Sequence, residues 1–139
     1  QAEESARIAE ERRRERVLTA RYPDEAAHQA ERNAALDQVE EVVVVAHKRV
    51  QSLKAERRRL DVELEFYRGD VTKAPVLLQR QIADNEQALA DQQRFLATQE
   101  LEKRRIHQRF DAELAQLRQL WAAQRASSTQ WGQLPAPQK

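Results

Sequence analysis

Two long stretches without proline or glycine constrain this chain more than any other feature. Residues 24–68 and 76–131 contain neither residue type, so nothing in them should interrupt a helix. The helix breakers lie at Pro23, Gly69 and Pro75 and in the C-terminal tail. The pattern predicts a short N-terminal helix over 2–20, a long helix over 24–68, a connection at 69–74 and a second long helix over 75–126.

The predicted ends agree with this division. Pro23 followed by Asp24 is typical of a helix start, because proline suits the first turn and an acid complements the helix dipole. Gly69 is typical of a helix stop, since glycine readily adopts the left-handed conformation. We therefore expect an N-terminal helix (1–22), a helical hairpin (23–126, turn about 69–74) and an irregular tail (127–139).

The first long stretch carries a heptad repeat, whose apolar stripe we call the seam. Nine of its ten seam positions are apolar, the exception being Arg57, and this is typical of a coiled coil. The second stretch keeps the spacing, with five polar residues among thirteen. The first seam comprises Leu36, Val39, Val43, Ala46, Val50, Leu53, Arg57, Leu60, Leu64 and Tyr67; the second comprises Leu78, Ile82, Asn85, Leu89, Gln92, Leu96, Gln99, Lys103, Ile106, Phe110, Glu113, Leu117 and Leu120.

The short connection predicts that the two long helices pack as antiparallel neighbours. In that register the charged seam residue Arg57 falls beside Asn85 and Glu86, so its charge has polar neighbours on the other helix. The predicted fold class is therefore all-α, a long antiparallel two-helix coiled-coil hairpin with a short N-terminal helix and an irregular C-terminal tail. The predicted apolar pairs are Leu60 with Ile82, Leu53 with Leu89, and Leu36 with Ile106.

Composition supports elongated helices and excludes several function classes. Charged residues make up 34%, aromatic residues 5%, and the mean hydropathy is -0.88, which argues against a sizeable globular core. The 24 basic and 23 acidic residues nearly cancel, so no general attraction to nucleic acid or acidic membranes is expected. Cysteine is absent, and no apolar run reaches the roughly 18 to 20 residues of a membrane span.

Residues 12–39 and 56–121 carry a family likeness. The features are Leu18, Tyr22 and Asp24 at the entry and "RRIHQRFDAELAQLRQL" at the end. They resemble the coiled-coil portion of exported proteobacterial proteins that carry a small N-terminal domain of unknown function. That domain has no counterpart here, and the chain begins at Gln1 rather than Met, so we expect a mature or trimmed product. The resemblance implies a periplasmic, non-enzymatic protein and supplies no functional residues.

Catalytic and metal sites are not expected. The histidines His28, His47 and His107 form no paired metal-ligand spacing and are interpreted as solvated helix positions. No glycine-rich phosphate loop is present. The basic runs at 11–16, 55–60 and 102–105 each have acids within one turn, which favours salt-bridged solvent faces over phosphate contacts. No cofactor and no small-molecule substrate are predicted.

The two ends of the predicted hairpin carry aromatic clusters. At the turn, Phe66, Tyr67 and Val71 are candidates for a docking tip that binds a partner. The alternative is that Phe66 and Tyr67 simply close the end of the coiled coil. At the other end, Tyr22 and Trp121, with Trp131 as a further candidate, are expected to pack the N-terminal helix onto the hairpin.

The run "EEVVVVAHKRV" (40–50) is the best strand signal in the chain, yet the heptad on both sides favours helix. Val43 lies on the seam and Val42 flanks it, whereas Val44 and Val45 point outward. Leu101 is expected at the same height on the other helix. These out-of-seam residues predict a band for self-association or partner binding, although single exposed apolar residues are common.

The sequence therefore predicts a structural or protein-interaction module of the bacterial cell envelope. It would dock through helix–helix contacts at the mid-rod apolar band or at the tip. Expected partners are a second copy or a larger envelope complex, and the polar second seam favours such further burial. The alternative is a periplasmic holdase-type chaperone with helical arms; a nucleic-acid-binding rod is disfavoured by the balanced charge.

Overall fold

The structure, a computed structural model, describes residues 1–132, with side chains described as far as residue 130. Within residues 1–132 the chain is all-helical and contains no strand. Helix α1 spans Ala2–Arg21, α2 spans Glu25–Leu64 and α3 spans Val76–Gly132, with 3-10 turns at Glu65–Tyr67 and Val71–Lys73. None of these helices combines the length and apolar character needed to cross a membrane. The valine run at 42–45 is helical.

The chain divides into two compact units. Among the described residues, unit 1 comprises 1–35 and 106–132, and unit 2 comprises 36–105. Each unit thus takes part of α2 and part of α3.

The junction of α1 and α2 in unit 1 is closed by local hydrogen bonds. The Tyr22 N–H donates to the Leu18 carbonyl at 2.9 Å and so ends α1. The Asp24 carboxylate accepts the Ala27 N–H at 2.8 Å, as an N-cap does. No residue of α1 is buried, so this helix contributes only part-buried side chains to unit 1.

The connection in unit 2 is a capped turn. Arg68 and Gly69 adopt left-handed backbone with φ of 56° and 75°, and the Gly69 N–H donates to the Leu64 carbonyl at 3.1 Å. The Asp70 carboxylate then accepts the Thr72 N–H at 3.0 Å and the Thr72 hydroxyl at 2.6 Å. Gly69 therefore lies at the helix stop as predicted, and Asp70 is engaged in capping.

The core of unit 2 is aliphatic. Leu60 and Leu64 of α2 pack with Ala74, Leu78 and Ile82, and the half-buried Tyr67 and Val71 pack against this cluster. Farther along, the buried Asn85 donates its Nδ2 to the Leu53 carbonyl at 2.9 Å, and Arg57 Nη1 lies 2.7 Å from Glu86 Oε1. Other seam positions of this unit are buried (Val39, Val43, Ala46, Val50 and Leu53) or half-buried (Leu36, Leu89 and Leu96).

Two helix ends differ from the predictions. Helix α2 ends at Leu64, before the 3-10 turn, rather than at about 68. Helix α3 also continues to Gly132, so residues 127–132, predicted as irregular tail, are helical. Serine and threonine lower helix propensity by only about 0.5 kcal/mol each, and no proline or glycine precedes Gly132 to stop the helix. The rest of the predicted tail, 133–139, lies outside the described residues.

Candidate functional site

An open apolar groove of about 600 Å³ lies on the surface of unit 2. Val42, Val45 and Ala46 of α2 and Phe95 of α3 supply its apolar lining. Val45 is 66% exposed, and Val42 and Phe95 are exposed to similar, smaller extents. Because three large apolar side chains share one open groove, this surface differs from a scatter of single exposed residues.

The groove separates residues that the sequence grouped together. Val44 and Leu101 are also exposed, but neither lines the groove. Successive residues of an α-helix point about 100° apart, so Val44 and Val45 leave α2 in different directions. The single band predicted from Val42, Val44, Val45 and Leu101 is therefore divided, with only Val42 and Val45 in the groove.

Phe95 is a groove residue that the sequence reasoning missed. It lies one position before the seam residue Leu96, where a large aromatic side chain is directed to the flank of the seam. A search for aromatic residues next to the seam, at the height of the outward valines, would have found it.

Opposite charges mark the groove along α2. Glu41 and Arg49 both line it and are both exposed. Neither takes part in an ion pair with another described residue of the chain, whereas the neighbouring Glu40 lies 3.5 Å from Lys103 Nζ. The groove thus combines an apolar lining with one acid and one base that are available to a partner.

The turn of unit 2 carries a second apolar surface. Phe66 is 84% exposed, and Val76 and Leu77 are exposed beside the connection. Tyr67 and Val71, predicted to act with Phe66, instead pack against the core cluster of Leu60 and Ile82. The two interpretations of the tip therefore apply to different residues: Tyr67 and Val71 close the end, and Phe66 remains exposed.

Unit 1 contains a buried polar centre that the sequence reasoning missed. His28 is only 1% exposed, which corrects its interpretation as a solvated position. Its Nε2 lies 2.8 Å from Glu113 Oε1, and its ring packs against Tyr22 and Phe110 with centroid distances of 4.9 and 5.1 Å. The available signal was Glu113, a polar residue on the seam between Phe110 and Leu117 that requires a partner when buried.

Arg32 extends this centre. Its Nη1 lies 2.8 Å from Asp111 Oδ1 and 3.4 Å from His107 Nδ1, and its guanidinium lies 5.6 Å from the centre of the Phe110 ring. Its Nε has no hydrogen-bond partner among the described residues. Within residues 1–132 no three His, Asp or Glu side chains are grouped as metal ligands. The centre is thus a packed network of one ion pair, polar contacts of two histidines, and aromatic contacts.

Tyr22 and Trp121 lie together in unit 1. They form a buried cluster with Leu117, against which the half-buried Leu18 and Leu114 pack. Trp121 Nε1 donates to the Tyr22 carbonyl at 3.0 Å, and burial, with the Glu113 charge adding to it, raises the pKa of Tyr22. The side chain of Trp131, the third aromatic candidate, lies outside the described residues.

The basic runs hold local ion pairs. Arg13 lies 2.6 Å from Glu10, Arg57 lies 2.9 Å from Asp61, and Lys103 lies 3.2 Å from Glu100. These contacts lower the charge available for phosphate at these positions.

Comparison of the chain with protein-family models, with curated proteins and with solved structures finds no match. A proposal for the function therefore rests on the surfaces described above.

Proposed function

We propose that this chain is a non-enzymatic protein-interaction module that docks a helix in the groove of unit 2. The single observation that carries the proposal is the open groove lined by Val42, Val45 and Phe95. A helix laid along such a groove would bury these side chains, and each buried methylene contributes about 0.8 kcal/mol.

Within unit 2 the docking scaffold is an antiparallel helical hairpin. Two cross-helix ion pairs, Arg57 with Glu86 and Glu40 with Lys103, support this direction, because the same number of residues separates them on both helices while the order is reversed. A hairpin of this kind holds the two groove walls, one from each helix, at a fixed spacing.

The site of action that we propose is the bacterial cell envelope, in the periplasm, where the module would join a larger protein complex. This placement rests on the resemblance of residues 12–39 and 56–121 to exported coiled-coil proteins. Neither a cofactor nor a small-molecule substrate forms part of the proposal.

Site-specific photo-crosslinking in the intact chain tests the docking surface. A benzophenone amino acid at Val45 should give a protein adduct, whereas the same probe at Val62, which is 58% exposed on α2 and does not line the groove, should not. Equal labelling from both positions, or none from Val45, would contradict docking in the groove.

A holdase-type chaperone is the second candidate, favoured by the exposed Phe66, Val76 and Leu77 at the turn. It predicts that the chain suppresses aggregation of a model client and that Phe66→Ser lowers this effect. Unchanged client aggregation at a molar excess of the chain would remove this candidate.

A further inference from the structure

We infer that the occupant of the groove is a second copy of this chain, packed antiparallel across a two-fold axis at Val45. The inference rests on the proposed docking function and names its partner. Its basis is the arrangement of charge around the groove. The acid and the base of one copy can pair with the base and the acid of a second copy.

Glu41, Val45 and Arg49 are spaced four residues apart and form one ridge of α2. The acid and the base are therefore symmetric about Val45, about 12 Å apart along the helix axis. In a two-fold interface, residue i contacts residue j and residue j contacts residue i. An antiparallel crossing at Val45 thus sets each Glu41 beside the other copy's Arg49 and forms two ion pairs.

The surrounding positions accept the same crossing without conflict. Val45 meets its own copy, and Val42 falls opposite the aliphatic stem of Lys48, whose charged end extends toward water. One turn farther out, Gln38 falls opposite Ser52, and both are uncharged. The crossing therefore brings no like charges together at these positions of α2.

The size of the groove limits the expected affinity of the dimer. Stable complexes bury about 800 Å² per partner from some 20 to 30 residues, and seven residues line this groove. We therefore expect a weak dimer with a Kd of roughly 10 to 1,000 µM. Two such hairpins would together form a four-helix contact.

Disulfide trapping tests the crossing point, because the chain has no cysteine of its own. Val45→Cys places the new thiol at the two-fold axis, where two Cβ atoms come within about 4 Å, the distance a disulfide requires. Val44→Cys is the matched control, an exposed valine one position away and outside the groove. We expect Val45→Cys to form a covalent dimer at least about tenfold faster. Equal rates would overturn the two-fold axis at Val45.

Charge reversal tests the pairing by sedimentation equilibrium at increasing concentration of the intact chain. Wild type should approach twice the 16.2 kDa of one chain. Glu41→Arg or Arg49→Glu alone should raise the dimer Kd about tenfold, since like charges then meet twice per dimer. The double variant Glu41→Arg with Arg49→Glu should restore the wild-type value to within about threefold. Failure of the double variant to recover would overturn the pairing.

The two proposals fail differently. If the Val45 photo-adduct contains a foreign protein and wild type sediments as a monomer up to about 1 mM, the self-association is wrong and docking stands. If the groove gives no adduct and no dimer, both are wrong.

Discussion

Unit 1 and unit 2 are built from the same two long helices, yet they bury different chemistry. Unit 2 buries an aliphatic cluster around Leu60 and Ile82, with Asn85 as its buried polar residue. Unit 1 buries the aromatic residues Tyr22, Phe110 and Trp121 together with His28 and Arg32. One heptad spacing therefore supports two kinds of interior.

The difference lies in how each unit satisfies a polar seam residue. Asn85 donates to the Leu53 carbonyl, a backbone acceptor that the opposite helix always provides. Glu113 instead pairs with Nε2 of His28, and the His28 side chain must itself be buried between the Tyr22 and Phe110 rings. Unit 2 should therefore respond mainly to changes in volume, and unit 1 also to changes in chemistry.

Core truncation should give the largest effects. Phe110→Ala should lower the free energy of unfolding by about 3–5 kcal/mol, because it removes the ring that packs against His28 and Arg32. Ile82→Ala should cost about 2–5 kcal/mol in unit 2. Urea unfolding measures both values, and Val62→Ala on the exposed face should stay within about 0.5 kcal/mol. A Phe110→Ala value near that of Val62→Ala would contradict the packing of unit 1.

Two leucine substitutions separate the effect of losing a polar partner from the effect of changing side-chain volume. His28→Leu should lower stability by about 1–3 kcal/mol, since it leaves Glu113 without its partner. Asn85→Leu should be neutral or stabilising, because the Leu53 carbonyl belongs to a helix and keeps its backbone donor. Equal losses from the two variants would remove the distinction between the units.

The residues show how much of this was predictable. The absence of helix breakers and the heptad predicted three helices, the Gly69 stop and the Arg57–Glu86 contact, because these follow from local backbone preference and spacing. The burial of His28 was not predictable in this way, since it depends on two aromatic rings and a carboxylate from other segments. The sequence neighbours of His28, such as Gln29, do not indicate that environment.

The groove shows the same limit. Spacing identified Val45 as an outward residue, but which outward residues share one surface depends on how the helices are rotated about their axes. Of the band predicted from Val42, Val44, Val45 and Leu101, only Val42 and Val45 line the groove, and Phe95 was missed.

Alkaline pH should weaken unit 1 before unit 2. Burial raises the pKa of Tyr22 in the folded chain above its unfolded value, so neutral Tyr22 favours folding. Its contribution is fully present below about pH 10 and is lost as the pH rises through the folded value. Thermal unfolding of wild type and Tyr22→Phe between pH 8 and 11, followed at amides of unit 1, measures the effect. A wild-type curve parallel to that of Tyr22→Phe would contradict it.

The smallest expected effect is the coupling free energy of a cross-helix ion pair, which can be compared between one pair in each unit. Arg57 and Glu86 of unit 2 are 31% and 63% exposed at their side chains. In the unit 1 pair Asp111 is 69% exposed, but Arg32 is only 11% exposed and lies against Phe110. Water and salt screen the first pair more fully, so its double-mutant coupling should be about 0.2–1 kcal/mol and should fall between 0.05 and 0.5 M salt. Asp111→Asn should cost more, because Arg32 then keeps its buried charge with a neutral partner.

Paired cycles with Arg57→Gln and Glu86→Gln, and with Arg32→Gln and Asp111→Asn, measure both couplings under the same conditions. The amide replacements keep most of each aliphatic stem, so packing changes little and the charge term is isolated. If the Arg57–Glu86 coupling equals or exceeds that of Arg32–Asp111 at both salt concentrations, burial does not govern these pairs. The contrast between the units would then rest on the aromatic rings and His28 alone.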